Sequence, residues 1–278
     1  MSFGDSARDV SVSIVTFGDD VRYLAHAIRG LVGGRTTPPG SEDLEVRVVL
    51  VDNGPGSSER HEALERVLEL GQESVETLSG HGNVGYGRGH NLAMARCRGA
   101  YHLVLNPDVE LAPDALAEAV HFMDEHPECG LLAPAVLGGH GELQYLCKRY
   151  PTVFDLLLRG FAPSWLRARF RARLDHYDMR NLINEHDVVW DPPIVSGCFM
   201  LFRTAVLKRL GGFDPRYFLY FEDFDLSLRT AQVSRIAYVP RVRIVHHGGG
   251  AARKGLAHVR MFAASAARFF GTHGWRFF

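Results

Sequence analysis

The sequence predicts an α/β fold on a mostly parallel sheet, and three observations carry the prediction. Short β-branched runs alternate with amphipathic helical stretches through the first half of the 278 residues. Polar residues stand at the ends of three of those runs, where open α/β sheets gather their ligand-binding loops. The composition, 46% hydrophobic and 23% charged, is that of a globular chain with a sizeable core, which excludes disorder, collagen and coiled coil.

The elements follow in order. Residues 10–17 (VSVSIVTF) read as the first strand, 20–31 as a helix, and GGRTTPPG as a loop before the strand 45–51 (EVRVVLV). Leu64, Val67 and Leu68 give 59–70 a helical spacing, and 75–78 is a third short strand. A glycine-rich loop leads into a helix at 89–98. YHLVL at 101–105 is the fourth strand, and Pro113 suits the first turn of a helix over 115–125. The second half is less regular. Residues 150–187 read as a helical or loop insertion dense in arginine. Strands are expected at 188–190, 195–202, 235–239 and 242–245, and helices at 204–210, 221–230 and 256–270, with Gly211-Gly212 closing the first of these.

Charge is unevenly placed. The total is −1, but residues 1–147 hold 10 basic and 22 acidic side chains, while 148–278 hold 21 and 10. The acidic first half would repel a phosphate backbone, and the aromatics of the second half form no recognisable stacking platform, so no nucleic acid is expected as partner. No apolar run reaches the roughly 18 residues that span a bilayer, and the acidic N-terminal stretch lacks the apolar core of a secretory signal. Cys97, Cys129, Cys147 and Cys198 form no CxxC or metal-ligand cluster, and read as small buried hydrophobes. A cytoplasmic location is the expectation.

Several groups could carry chemistry. Thr16, Asp52 with Asn53, and Asn106-Pro107-Asp108 end strands one, two and four. A carboxylate there can accept from a base N–H or bind a divalent cation, though Asp and Asn also simply cap turns. The run from Gly80 to Asn91 holds Arg88 among closely spaced glycines. Glycine lets a backbone approach a ligand, a guanidinium suits phosphate, and a plain flexible loop is the alternative. Its GxGxG spacing is not the GxGxxG of a dinucleotide loop. Glu222, Asp223 and Asp225 fall within four residues among aromatics, where mutual repulsion and lost solvation raise at least one pKa and can create a general base. Asp225 and Arg229 are spaced to pair on a helix, leaving Glu222 and Asp223 for a site; a solvated acidic helix start is the bland reading. His246 and His247 end a strand and could complete a metal shell.

VSIVTF, VVLVDN, GNVGYGRGHN, YHLVLNPDVEL, the long segment from Ser196 to Arg229 and RIVHHGGG stand in an order that resembles the inverting glycosyltransferases of family 2, over about residues 10–250. NPD in place of DxD, with CKRYPTVFDLLLRGFAP, is similar to bacterial rhamnosyltransferases of O-antigen and cell-wall polysaccharide synthesis. The resemblance implies a GT-A fold, a Rossmann-like mixed sheet. Its nucleotide-binding part would cover about 1–147, its acceptor part about 148–250, and a helical, membrane-facing extension 251–278. Thr16, Asp52 and Asn91 would hold the nucleoside, with Asp52 accepting from the pyrimidine N3–H. Arg88 and Asn106 would lie at the nucleotide sugar, and Ser196-Gly197 would floor the place where donor meets acceptor. Asp108 and His246, with His247 its rival, would bind Mg²⁺ or Mn²⁺. Asp223 would be the base and Glu222 its neighbour, contacting acceptor or tuning it. Asn106 leaves one anion fewer for the metal than the DxD of many relatives, and 230–234 lacks their glycine. The implied reaction moves L-rhamnose from dTDP-rhamnose to a lipid-diphosphate-linked saccharide at the inner membrane face. A UDP-sugar hexosyltransferase and a non-catalytic sugar-nucleotide-binding module are the alternatives. The arginines from Arg159 to Arg173 beside Phe161, Trp165 and Phe170, and the basic, Phe-rich C-terminus, suit peripheral contact with anionic lipid.

Overall fold

The computed structural model describes residues 9–18, 22–33, 44–55, 58–71, 74–248 and 255–278. The acidic N-terminal stretch to residue 8, the start of the first predicted helix, most of the Gly/Pro loop, and Gly249 to Lys254 with Arg253 lie outside the described residues.

One ten-stranded mixed sheet organises the chain. The N-terminal part supplies β1 (Val10–Thr16), β2 (Val46–Asp52), β3 (Val75–Leu78), β4 (Tyr101–Leu105), β5 (Val109–Leu111), β6 (Cys129–Leu137) and β7 (Leu143–Gln144). The second half adds β8 (Val189–Trp190), β9 (Phe199–Arg203) and β10 (Arg235–His246). Strand order is β3-β2-β1-β4-β9-β6-β10-β5, with β7 on β6 and β8 on β10. β3, β2, β1 and β4 run parallel, as βα alternation requires, and β9 enters antiparallel between β4 and β6. β1 is buried along its whole length, which suits a central strand covered on both faces.

Helices α1 (Arg22–Gly33), α2 (Ser58–Gly71), α3 (Tyr86–Met94) and α4 (Ala115–Glu125) connect these strands. Leu24, Ala27, Ile28 and Leu31 of α1, and Ala115, Ala119, Val120 and Met123 of α4, bury apolar stripes in one large core with Ile14, Leu50 and Leu103. The insertion folds as α5 (Val153–Phe161), α6 (Ser164–Arg169) and α7 (Arg171–Tyr177). A capping box of Thr152 and Asp155 starts α5. Then come α8 (Thr204–Leu210), ended by left-handed Gly211, α9 (Glu222–Thr230) and α10 (Leu256–His273).

Four departures from the sequence reading have physical reasons. Helix α3 begins at Tyr86, inside the glycine-rich run expected as loop. A Cβ on Gly87 would lie 2.9 Å from Phe213 and one on Gly89 2.8 Å from Val15, so these glycines serve close helix packing rather than ligand approach. β9 starts at Phe199 rather than 195, because the Gly197 N–H and C=O bond side chains, Asp223 and Tyr86, instead of a neighbouring strand. β10 is one strand where two were expected; Pro240 falls in a register shift against β6 between Val239 and Arg243, which absorbs its missing N–H. β5 and β6 were not anticipated. Gly130 and Pro134 dilute the strand signal of β6, whose place is set by pairing with β9 and β10, and Val109 is buried in β5.

The C-terminal segment packs back onto the second half. Phe269 and Phe270 are buried with Ile194, Tyr217 and Phe221, and the tail pairs with the start of α5 through Val153 N–H to Arg276 O and Phe154 N–H to Phe277 O. All four cysteines are buried and free.

Candidate active site

The carboxyl ends of β1, β2 and β4 meet along one edge. Thr16 and Asp52 are register partners, and the Asn53 N–H bonds Thr16 O at 2.9 Å. Asp52 Oδ1 accepts the Gly54 N–H at 2.9 Å, so the turn-capping role exists, using one of the two carboxylate oxygens. Asn53 is buried and donates to Gly85 O at 3.0 Å, tying strand two to the start of α3.

Two residues expected at the nucleotide are engaged elsewhere. Asn91 uses both ends of its amide on the Phe213 backbone, donating to its O at 2.7 Å and accepting from its N–H at 2.9 Å. That is a brace between α3 and the segment after α8, and it engages the amide expected at the nucleoside. Arg88 is exposed and donates from Nε to Pro215 O at 2.6 Å, which leaves the outer nitrogens of its guanidinium facing other directions.

The Asn106-Pro107-Asp108 turn lies between β4 and β5. The antiparallel pairing of β5 with β10 sets Val109 opposite His246, and the His247 N–H bonds Asp108 O at 3.0 Å. This register brings His246 Nε2 to 3.4 Å from Asp108 Oδ1. His247 turns away, stacking on Tyr23 at 4.7 Å between ring centroids and meeting Glu110 at 3.1 Å. Of the two histidines, His246 therefore faces Asp108. His246 Nδ1 is buried without a hydrogen-bond partner among the described residues. An anionic oxygen beside an imidazole nitrogen fits a divalent cation, and Gly248 is packed so closely that a Cβ there would fall 2.1 Å from Asp108 Oδ2. No third His, Cys, Asp or Glu joins the pair among the described residues.

The acidic residues come from α9. Tyr220 (φ 72°) and Phe221 (φ 65°) both adopt the left-handed region just before the helix, a conformation held against its cost by the aromatic packing of Phe221. Asp223 Oδ2 accepts the Gly197 N–H at 2.9 Å and Oδ1 the Phe224 N–H at 3.0 Å. Burial nevertheless raises its pKa above the usual aspartate range. Glu222 is pushed up to about 8, first by burial and then by the Asp223 charge, so it keeps its proton at neutral pH. Its Oε2 has no hydrogen-bond partner among the described residues, which a neutral acid tolerates better than an anion. Asp225 takes the expected structural part, 2.8 Å from Arg229 and 2.8 Å from His273.

Tyr86, which the sequence reading did not single out, joins these parts. Its hydroxyl lies 2.9 Å from Asn106 Oδ1 and 2.6 Å from Gly197 O, and donates to one of them at a time. Burial, then the Glu222 and Asp223 charges, hold its proton far above the ordinary tyrosine range, so it acts here as a donor. An aromatic alone inside a glycine run was the available signal. Asn106 thereby faces the acid side of the site, while Asp108 faces His246. Asn106 N–H also bonds Cys198 O at 2.9 Å, which holds Ser196-Gly197 across from the turn.

Residues 11–211 match the family described as Glycosyl transferase family 2. The N-acetylglucosaminyl-diphospho-decaprenol L-rhamnosyltransferase of Mycobacterium tuberculosis is 27% identical over 220 residues, 73% of this chain and 66% of that protein. Rhamnosyltransferase WbbL of Escherichia coli is 25% identical over 185 residues, 62% of this chain and 64% of its own. The chain thus spans slightly under two thirds of the length of these relatives. Among solved structures, GalNAc-T7 with UDP, GalNAc and Mn²⁺ superposes with a TM-score of 0.61 at 15% identity, over 95% of this chain and 50% of that one. This likeness shows the GT-A fold.

Proposed function

Because the chain belongs to glycosyl transferase family 2, we propose that it is an inverting glycosyltransferase. It moves L-rhamnose from dTDP-L-rhamnose to a lipid-diphosphate-linked saccharide in bacterial surface polysaccharide synthesis, working at the inner face of the cell membrane. The observation that carries the catalytic part is Asp223, oriented by the Gly197 and Phe224 N–H groups and set beside a Glu222 that keeps its proton. The donor class rests on the rhamnosyltransferase names of two relatives, and the lipid-linked acceptor on the name of the mycobacterial one.

In this reading, Thr16 and Asp52 hold the pyrimidine nucleoside, with Arg88 at its edge, and Asn106 with Ser196-Gly197 faces the transferred sugar. The acceptor hydroxyl oxygen attacks the anomeric carbon as the bond from that carbon to the diphosphate breaks. The electron pair leaves with the diphosphate, configuration inverts, and Asp223 receives the hydroxyl proton. Neutral Glu222 keeps a second negative charge away from Asp223. Asp108 and His246 would hold Mg²⁺ or Mn²⁺, which when bound offsets charge on the departing diphosphate. Tyr86 fixes Asn106 against the Gly197 backbone on which Asp223 is oriented.

A transfer assay with dTDP-rhamnose, UDP-galactose and UDP-N-acetylglucosamine, using a prenyl-diphosphate-linked N-acetylglucosamine acceptor with and without chelator, tests the reading. The expected result is rhamnosyl transfer that the chelator suppresses. Preference for a UDP-sugar would replace the donor, and nucleotide binding without transfer would replace the enzyme by a binding module.

A further inference from the structure

A cavity of about 580 Å³ opens in the second half, between the segment after β7, helices α5 and α7, and the C-terminal tail. It shares no lining residue with the strand-end site. Arg149, Tyr150, His176, Tyr177, Arg276 and Phe278 form much of its wall.

Among the lining side chains, three guanidiniums stand against one carboxylate. That carboxylate, Asp155, is taken by Arg173 at 2.5 Å and by the Thr152 cap. Arg149 donates from Nε to His176 O at 3.2 Å, and Arg276 lies over the Tyr150 ring at 4.4 Å. Neither guanidinium has a carboxylate within ion-pair distance among the described residues. Both keep nitrogen donors for an anion, and the planar fork suits phosphate oxygens.

Helices α5 and α6 and the C-terminal tail also carry exposed apolar side chains. Leu157 and Phe161 of α5, Trp165 of α6, and Trp275, Phe277 and Phe278 of the paired tail are all more than half exposed. Two walls belong to segments that also carry or orient Asp223. Leu228 lies on α9, the helix that also carries Asp223. Pro193 lies in the segment that reaches Gly197, whose N–H Asp223 binds.

We infer that this cavity binds the diphosphate of a prenyl-diphosphate-linked acceptor through Arg149 and Arg276, with the isoprenoid leaving across the exposed aromatic rim. The inference rests on the glycosyltransferase reading and places the acceptor's anionic group in it. The sugar then reaches toward Asp223.

The test uses the full chain and farnesyl diphosphate as probe, measured by isothermal calorimetry against farnesol, inorganic diphosphate and phosphatidylglycerol vesicles. Wild type should bind farnesyl diphosphate. Arg149→Gln and Arg276→Gln should each weaken it about tenfold, and the double variant about a hundredfold. Farnesol should show no such dependence. In the transfer assay, the same variants should raise KM for a prenyl-diphosphate-linked sugar with kcat little changed, and leave KM for an octyl glycoside acceptor alone. Thermal melts check folding. If a Gln variant fails that check, Arg→Lys carries the comparison, since Lys keeps the charge and loses the fork. Equal farnesyl diphosphate affinity in wild type and double variant overturns the inference, as does a loss confined to vesicle binding. Transfer without arginine-dependent diphosphate binding overturns this site and spares the proposed function. Arginine-dependent binding without any sugar transfer does the reverse.

Discussion

Asp223 and Glu222 are adjacent buried carboxylates whose pKa values both rise, and their surroundings differ. Asp223 has two backbone N–H partners, whereas Glu222 Oε2 is buried without one among the described residues. Asp223→Asn should reduce kcat by about 10²- to 10⁴-fold with donor affinity little changed; full turnover in that variant would remove Asp223 as the base. Glu222→Gln mimics the protonated acid, so it should keep activity at neutral pH. It should also abolish the inflection near pH 8 expected of wild type, where Glu222 ionises beside Asp223. An unchanged inflection in the Gln variant would assign it to another group. These acids were legible in sequence because the chemistry needs their residue types. Tyr86 was not, since a lone tyrosine has no partner until α3 is folded against Gly197 and Asn106. Nor was the brace made by Asn91, its partner Phe213 lying far along the chain.

Elements decide which of these residues meet. β5 is three residues long, too short to read, yet its register with β10 brings Asp108 to His246 and turns His247 to Glu110. Under β1 and β4, Ser13 bridges His90 at 2.7 Å and His102 at 2.9 Å, and both histidines are fully buried. Burial lowers both pKa values, that of His102 to about 3, against about 6.5 in an unfolded chain. The unfolded state therefore binds more protons below pH 6.5. Stability present above that pH is lost as pH falls toward 3, by up to about 1.4 kcal/mol per pH unit for each histidine. Melting temperature should fall between pH 6.5 and 5, and His102→Gln should show the shallower dependence; parallel profiles would contradict the burial argument.

Across the whole molecule, the C-terminal helix is part of the support for α9. Phe269 packs on Tyr150, Phe221 and Phe224, and His273 reaches Asp225. Phe269→Ala should cost about 3–5 kcal/mol in urea denaturation, and a loss below 1 kcal/mol would mean the helix is only loosely docked. The basic surface is less uniform than the arginine count suggested. Arg159 pairs with Asp178 and Arg173 with Asp155, while Arg149 and Arg276 have no such partner among the described residues. No helix among the described residues is long and apolar enough to cross a membrane. The exposed rim of Phe161, Trp165 and Trp275 should still float the protein with phosphatidylglycerol vesicles at low salt and release it at high salt. Absence of flotation would sink the peripheral-contact reading.

The sequence by itself determined the βα alternation, the strand-end polar residues and the acidic helix start, because each depends on local spacing and residue type. Only the tertiary structure decided that β9 inserts between β4 and β6, that Gly197 orients Asp223, that His246 rather than His247 faces Asp108, and that helix α3 begins inside the glycine run. Those outcomes depend on sheet register and close packing between distant segments, where the relevant energy belongs to pairs of residues and no single stretch of sequence carries it.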